Sequence, residues 1–371
     1  MSDTALFEKT IQHYLAPILP YLQDTQVAEV MVNNHQEVYI ERDGKLIKTD
    51  AQFTDIEAYE AAVNNILQFT GKSIADEDFL VDTRLPDGSR VHVAKEPCAR
   101  FGMAMTIRKF AKTMLDVDWL VHIGSLSAEA AQYLRVMVNS EQNMLVAGGT
   151  SSGKTSLLNA LSSYIPAGQR IVVIEDSAEL QLQQDHVISL ESKSADRFGR
   201  GAVRIRELFR SSLRLRPDRI IIGEVRGEEA LDMIQAMTSG HGGSMGTLHA
   251  NSAFDALNRL ETMALMSEVE LPLAALRSQV SSAIDVVVHL VRQVGGYRQV
   301  IQIAEVQPME GQGHYQLRDI FTLQPTVDEE GVRKMQLKPT GERSLISGHL
   351  KEDVKPMISG ITADIFGLNN A

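Results

Sequence analysis

Cysteine is almost missing from this sequence: Cys98 stands alone among 371 residues. With no second thiol there is no internal disulfide, which agrees with a reducing compartment. An excess of positive charge is missing too, since the formal net charge is −12. General nucleic-acid binders displace counterions with clustered cations, so this balance argues against direct nucleic-acid binding. It argues equally against adhesion to an anionic membrane surface. No uncharged apolar stretch is long enough to span a bilayer, so no transmembrane segment is expected. Met1-Ser2-Asp3-Thr4 lacks the basic start of a signal peptide. These absences lead to the expectation of a cytoplasmic protein.

What is present is ordinary globular material, 44% hydrophobic and 23% charged. The length predicts two domains. Apolar spacing over residues 5–22 predicts an amphipathic helix, packed on its own domain or docking a partner. Strands are expected at Val27–Val32 and Glu37–Glu41, with a turn at Asp43-Gly44 and a return through Leu46-Ile47. Thr54, with Glu57 three residues on, predicts a capped helix to about Thr70. Further strands are expected at Ser89–Ala94 and Met103–Arg108. Residues 1–110 therefore read as a small, acidic α+β domain, with 11 Lys/Arg against 17 Asp/Glu. Residues 111–125 read as a linker and 126–371 as a second domain.

In that second domain strands and helices alternate. Helices are expected from Ser127 to Val138 and at Gly153–Ser163, Arg204–Leu215 and Glu228–Thr238. Strands are expected at Met144–Ala147, Arg170–Ile174, Ile220–Ile222 and Met245–Leu248. Such alternation predicts an α/β fold with a parallel sheet covered on both faces. After residue 280 strands dominate, at Asp285–Val291, Gln299–Val306 and Tyr315–Leu323, with a turn at Gly295-Gly296. The tail from Thr326 is polar, with a short amphipathic end near Ile361–Phe366.

Chemistry concentrates in the α/β region. Gly148-Gly149-Thr150-Ser151-Ser152-Gly153-Lys154-Thr155 matches G-x-x-x-x-G-K-S/T after a strand and before a helix. Glycines let backbone N–H groups curl inward on a phosphate, and the helix that carries Ser156 adds its positive dipole end. Lys154 supplies a point charge to the β- and γ-phosphates, and the Thr155 hydroxyl can ligate Mg²⁺. ATP and Mg²⁺ are thus the expected ligands. Leu213–Glu224 reads as an apolar strand ending in an acid, Glu224, which can hold Mg²⁺ through water or polarise the attacking water; a buried strand capped by a surface Glu is the plainer alternative. Glu175-Asp176-Ser177-Ala178-Glu179 follows another strand, where a carboxylate can orient an attacking water; a solvated acidic turn is the plainer alternative. His241 and His249 flank a glycine-rich strand at a spacing that fits no zinc signature, which leaves γ-phosphate sensing or a structural role. Nine arginines lie within 197–226: Arg197, Arg200, Arg204, Arg206, Arg210, Arg214, Arg216, Arg219 and Arg226. They form either a solvated stripe paired with acids or an interface to nucleotide or a neighbouring subunit.

In order, these blocks resemble the type II/type IV secretion ATPase superfamily. Gly148–Thr155 looks like its Walker A motif and Ile-Glu-Asp-Ser-Ala-Glu-Leu-Gln-Leu (174–182) like its Asp box. Leu-Arg-Pro-Asp-Arg-Ile-Ile-Ile-Gly-Glu-Val-Arg-Gly (215–227) looks like Walker B, and Ser239–Ser252 like the His box. The wording, with Asp232–Met237 and Asn258–Met263, is most similar to the CpaF/TadA tight-adherence pilus ATPases, although the helical extension they commonly carry shrinks here to 5–22. The resemblance spans about Val27 to Phe321. It implies a PAS-like α+β domain followed by a RecA-like motor domain, assembled as a homo-hexamer. It implies Glu179 as catalytic carboxylate and Glu224 as Walker B acid. It also implies that Arg90, in Leu-Pro-Asp-Gly-Ser-Arg-Val (85–91), and Arg108, in Thr-Ile-Arg-Lys-Phe (106–110), reach the phosphates. The implied function is ATP hydrolysis coupled to pilus assembly or secretion, through an inner-membrane platform protein. A RecA-like nucleic-acid-dependent ATPase, a motor for a conjugation-type type IV secretion channel and a small-molecule kinase are the competing readings.

Overall fold

The computed structural model describes residues 10–69, 79–110, 116–195, 199–293, 295–309, 313–327, 333–347, 349–350, 352, 354–360 and 365–367. The chain divides into two compact units, Met1–Thr113 and Met114–Ala371. Of the stretch expected as a linker, 111–115 lies outside the described residues. Val117–His122 is helical and packs Val117 and Leu120 into the core of the second unit, so that part is not a linker.

In the first unit, β1 (Val27–Asn34), β2 (Glu37–Arg42), β3 (Lys45–Lys48), β4 (Leu80–Arg84), β5 (Arg90–Ala94) and β6 (Ala104–Arg108) form one antiparallel sheet, ordered β3-β2-β1-β6-β5-β4. Alternation along the strands buries Val30, Val32, Val91, Val93, Met105 and Ile107 on one face. The helix Ile56–Phe69 covers that face with Tyr59, Ala62, Val63, Ile66 and Leu67. Its cap is Asp55, not Thr54: the Ala58 N–H donates to Asp55 Oδ1 over 2.7 Å. Thr70 lies outside the described residues.

The expected helix over 5–22 is not continuous. Residues 5–9 lie outside the described residues, 10–14 are helical, 15–18 turn, and a second helix runs Leu19–Gln23. Pro17 and Pro20 lack the N–H groups an unbroken helix needs, and Pro20 sits in the first turn of the new one. The apolar spacing still works, because Ile11, Leu15 and Ile18 are buried in this unit's core.

Among its described residues the second unit has nine strands: β7 (Met144–Gly148), β8 (Ile171–Glu175), β9 (Val187–Glu191), β10 (Arg219–Ile222), β11 (Met245–His249), β12 (Val286–Arg292), β13 (Arg298–Val306), β14 (Leu317–Val327) and β15 (Arg333–Pro339). Their order is β15-β14-β13-β12-β7-β11-β10-β8-β9. From β12 through β9 every pairing is parallel, and β13, β14 and β15 add antiparallel strands at one side. Both faces are buried. Met144 and Val146 enter one apolar cluster, with Leu134, Leu157 and Leu161. Leu145 and Ala147 enter the other, with Phe209, Ile234 and Leu257. The α/β fold with its sheet between helices is therefore observed, with a mixed sheet. The helices are α1 (Val117–His122), α2 (Ala128–Asn139), α3 (Lys154–Ser162), α4 (Ile205–Ser212), α5 (Glu229–Thr238), α6 (Ala253–Ala264) and α7 (Leu273–Ala283). Among the described residues no helix is long and apolar enough to cross a membrane.

Candidate functional site

Parallel pairing brings strand ends together. His249 is in register with Gly148, and Ile222 with both Gly246 and Ile174. The C-terminal ends of β7, β8, β10 and β11 therefore share one edge of the sheet, the edge where such folds bind ligands. At that edge the chain leaves β7 through a loop that needs its glycines. A Cβ on Gly148 would lie 2.4 Å from the Leu290 carbonyl oxygen, and Gly153 has φ +96°. Ser152 Oγ donates to the Gly149 carbonyl over 2.9 Å, closing the loop on itself. Gly149 and Thr150 are exposed, while Ser151, Thr155 and Ser156 are half-buried. α3 starts at Lys154 with no side chain capping it. That open helix start beside glycines fits a phosphate, which takes backbone N–H groups and a positive dipole end.

Lys154 is 7% exposed. Its Nζ donates to the Gly149 carbonyl at 2.9 Å and lies 3.5 Å from His249 Nδ1. His249 Nε2 lies 3.2 Å from Glu224 Oε1, and Glu224 Oε2 accepts from Arg226 Nη2 at 2.7 Å. Arg226 Nη1 then reaches Asp176 Oδ2 at 3.2 Å. Five side chains from four loops thus form one chain of alternating polar contacts. Burial, with Lys154 beside it, holds the His249 imidazole below its ordinary pKa. A neutral ring fits both contacts, with Nδ1 accepting from Lys154 and Nε2–H donating to Glu224. Burial pushes the Glu224 carboxyl upward, but Arg226, His249 and Lys154 outweigh it and hold the group below its usual range.

Glu175 is buried at the end of β8, 4% exposed. Its Oε1 accepts from the N–H groups of Glu179 at 2.8 Å and Leu180 at 3.0 Å. Burial raises its pKa to about 7. Glu175 thereby shapes the loop that carries Glu179, itself half-buried. Gly223 leaves room for it, since a Cβ there would lie 2.9 Å from Glu175 Cγ.

His241 does not join this site. It precedes β11 while His249 ends it, and the extended strand between them alone spans about 13 Å. The His241 N–H bonds the Ala236 carbonyl, and neighbouring Ser244 bonds Asn143, at the start of β7 rather than its end. The two histidines therefore do not act together on one phosphate within this chain.

The arginines separate as well. Arg206 pairs with Asp232 at 2.8 Å and Glu228 at 2.5 Å, and Arg210 with Asp232 at 2.9 Å, the paired stripe. Arg214 leaves their face because α4 ends at Ser212 and a 3-10 turn follows. Arg219 is buried, donating to Gln169 and the Val138 carbonyl. Arg197 lies outside the described residues. In the first unit Arg90 stands directly opposite Arg108 across β5 and β6, and Arg84 opposite Arg90 across β4 and β5.

Metal fit follows from the donors. Among the described residues no group of three or more His, Cys, Asp or Glu is set to hold an ion alone. The Thr155 hydroxyl and the Glu224 carboxylate are hard oxygens. Mg²⁺ commonly takes one or two such protein ligands, keeps several waters and is completed by substrate phosphates.

Residues 12–323 match the family described as type II/IV secretion system protein. The chain belongs to that family. Among its relatives in the secretion-system family, the type IV secretion system protein PtlH of Bordetella pertussis is 34% identical over 324 residues, covering 80% of this chain and 95% of PtlH. A putative conjugal transfer protein of Mycobacterium tuberculosis is 32% identical over 298 residues, covering 79% of this chain and 84% of the relative. The Legionella pneumophila ATPase DotB shares the fold, with a TM-score of 0.58 at 16% identity over 78% of this chain and 79% of that one.

Sequence reading names Glu175 and Arg226 without singling them out, and misses Arg298 and Arg84. Glu175 was one candidate among adjacent acids, and only its burial and loop hydrogen bonds single it out. Arg226 was one of nine arginines. Arg298, at the start of β13, donates from Nε to the Ser151 carbonyl at 3.0 Å and buttresses the phosphate loop from 147 residues away. Arg84 enters the arginine row only through strand pairing.

Proposed function

We propose that this protein is an ATP hydrolase that powers a secretion or pilus-assembly machine of the bacterial envelope. The observation that carries this reading is the contact chain from Lys154 through His249 to Glu224, set beside a glycine loop and an uncapped helix start. Gly148, Gly149, Thr150, Ser151, Ser152, Gly153 and Ser156 would surround the phosphates. Lys154 would exchange the Gly149 carbonyl for a β/γ-phosphate oxygen. Thr155 and, through water, Glu224 would hold Mg²⁺, which when bound supplies charge neutralisation at the phosphates. Glu179, on the loop organised by Glu175, would orient the attacking water. His249, touching both Lys154 and Glu224, suits a sensor of the γ-phosphate. Arg90 and Arg108 are two adjacent cations suited to an anion, and the family resemblance assigns them to the phosphates. The same resemblance supports a homo-hexamer in the cytoplasm, held at the inner membrane by a platform protein.

Two machines compete. Motif wording favours a tight-adherence pilus, whereas relatives at 32–34% identity carry conjugal-transfer and type IV secretion names. The net charge of −12 disfavours a motor that itself grips nucleic acid. Phosphate release by wild type and by Lys154→Ala tests the hydrolase reading. Lys154→Ala is expected to bind ATP weakly and to release no phosphate above background. Near-wild-type turnover in the folded variant would remove the assignment, and strong stimulation of the wild type by DNA would favour the nucleic-acid motor.

A further inference from the structure

Both oxygens of Glu224 are already engaged, Oε1 by His249 and Oε2 by Arg226. Each oxygen keeps a second lone-pair site, so a metal-bound water can approach, but it then shares the carboxylate with a guanidinium whose positive charge opposes the ion. Arg226 is the partner built to leave. Its two terminal nitrogens are divided between two carboxylates, Nη2 at 2.7 Å from Glu224 and Nη1 at 3.2 Å from Asp176. Asp176 is held in place to receive it, because Ser192 Oγ donates to Asp176 Oδ1 at 2.6 Å. The Arg226 backbone is anchored independently: the N–H groups of Arg226 and Gly227 donate to buried Glu229 Oε1 at 2.7 and 2.9 Å. The guanidinium, by contrast, is half-exposed. On the Asp176 side lies an open cleft of about 400 Å³, lined by Asp176, Ser192, Arg204, Arg226 and Glu228 but not by Glu224. The guanidinium therefore has a second acceptor, room to move and a fixed pivot.

We propose that Arg226 is a positioning residue that competes with Mg²⁺ for Glu224 and, when nucleotide brings the ion, transfers its hold to Asp176. This rests on the ATP-hydrolase reading. A cation approaching Glu224 repels the guanidinium and competes for the same oxygen. Asp176 accepts the displaced charge, so the exchange leaves no unpaired arginine. Arg226 thus sets the Mg²⁺ concentration at which the site closes on nucleotide, and Asp176 sets it in the opposite direction.

The test is a binding measurement on the full chain. A fluorescent, non-hydrolysable ATP analogue is held at fixed concentration while Mg²⁺ is titrated. Arg226→Gln is expected to lower the half-saturating Mg²⁺ about 2- to 5-fold, the size of one half-exposed ion pair. Asp176→Asn is expected to raise it by a similar factor. In a Glu224→Gln background both shifts are expected to vanish. If Arg226→Gln does not fold, Arg226→Lys replaces it; one ammonium lacks the guanidinium's fork to both carboxylates, so the same direction is expected. Unchanged midpoints, shifts of the same sign, or shifts that persist in Glu224→Gln overturn the proposal while leaving the hydrolase reading intact. No Mg²⁺-dependent analogue binding by wild type would overturn both.

Discussion

Glu175 shows how one buried carboxyl can tie chemistry to pH. Its folded pKa is about 7 against an ordinary 4.5. A carboxyl raised in this way contributes stability that is complete below the unfolded value and is lost as pH rises through the folded one. Glu175→Gln removes the titration and keeps an oxygen for the Glu179 and Leu180 N–H groups. Relative to wild type, the variant is therefore expected to gain roughly 2–3 kcal/mol between pH 5 and pH 8. Thermal unfolding at the two pH values checks this, and parallel pH curves for both proteins would refute it. Glu179 and Glu224 call for a different measurement. Glu179→Gln and Glu224→Gln preserve shape and lose charge, so both are expected to bind ATP and hydrolyse it about 10²–10⁴-fold more slowly. Loss of binding with single-turnover chemistry intact would reassign both residues to structure.

At the scale of elements, β11 separates two histidines that looked like a pair, and the turn feeding it has its own requirement. Gly243 has φ +72°, and a Cβ there would lie 1.4 Å from Arg219 Nη1. Gly240 has φ +102° with nothing within 4 Å of its Cβ. Gly243→Ala adds overpacking to backbone strain and is expected to cost roughly 2–5 kcal/mol. Gly240→Ala carries the strain alone, about 1–2 kcal/mol. Unfolding midpoints compare the two, and equal losses would mean that Arg219 yields without cost. Two strands absent from the sequence expectation share a cause. Val187–Glu191 and Arg333–Pro339 are edge strands of the large sheet, and an edge strand with a polar face carries a weak alternation signal. The tail read only as polar, yet buried Glu305 fastens it, accepting from Tyr133 at 2.7 Å and from the Leu345 N–H at 2.6 Å. Residues 361–364 of its expected amphipathic end lie outside the described residues, and Ile365 and Phe366 are buried.

The whole-molecule question is assembly. The family resemblance implies a ring of six chains. Light scattering at high protein concentration, with an ATP analogue and Mg²⁺, is expected to give the mass of six chains of 41.0 kDa each. A monomer under those conditions would count against the ring.

The phosphate loop was legible in the sequence because it is local. Gly148, Gly153, Lys154 and Thr155 act through the backbone geometry of eight successive residues. The alternation of strands and helices fixed the α/β class for the same reason, since periodicity is a property of neighbours along the chain. Only tertiary structure could decide which distant groups meet the loop. Glu224 and His249 arrive because β10 and β11 run parallel to β7 in a particular order. Arg298 arrives from β13, Arg226 bridges two strand ends, and His241 is removed to the far edge by the length of one strand. Those outcomes depend on strand order and register, which come from packing both faces of the sheet at once and leave no mark in the spacing of any single segment.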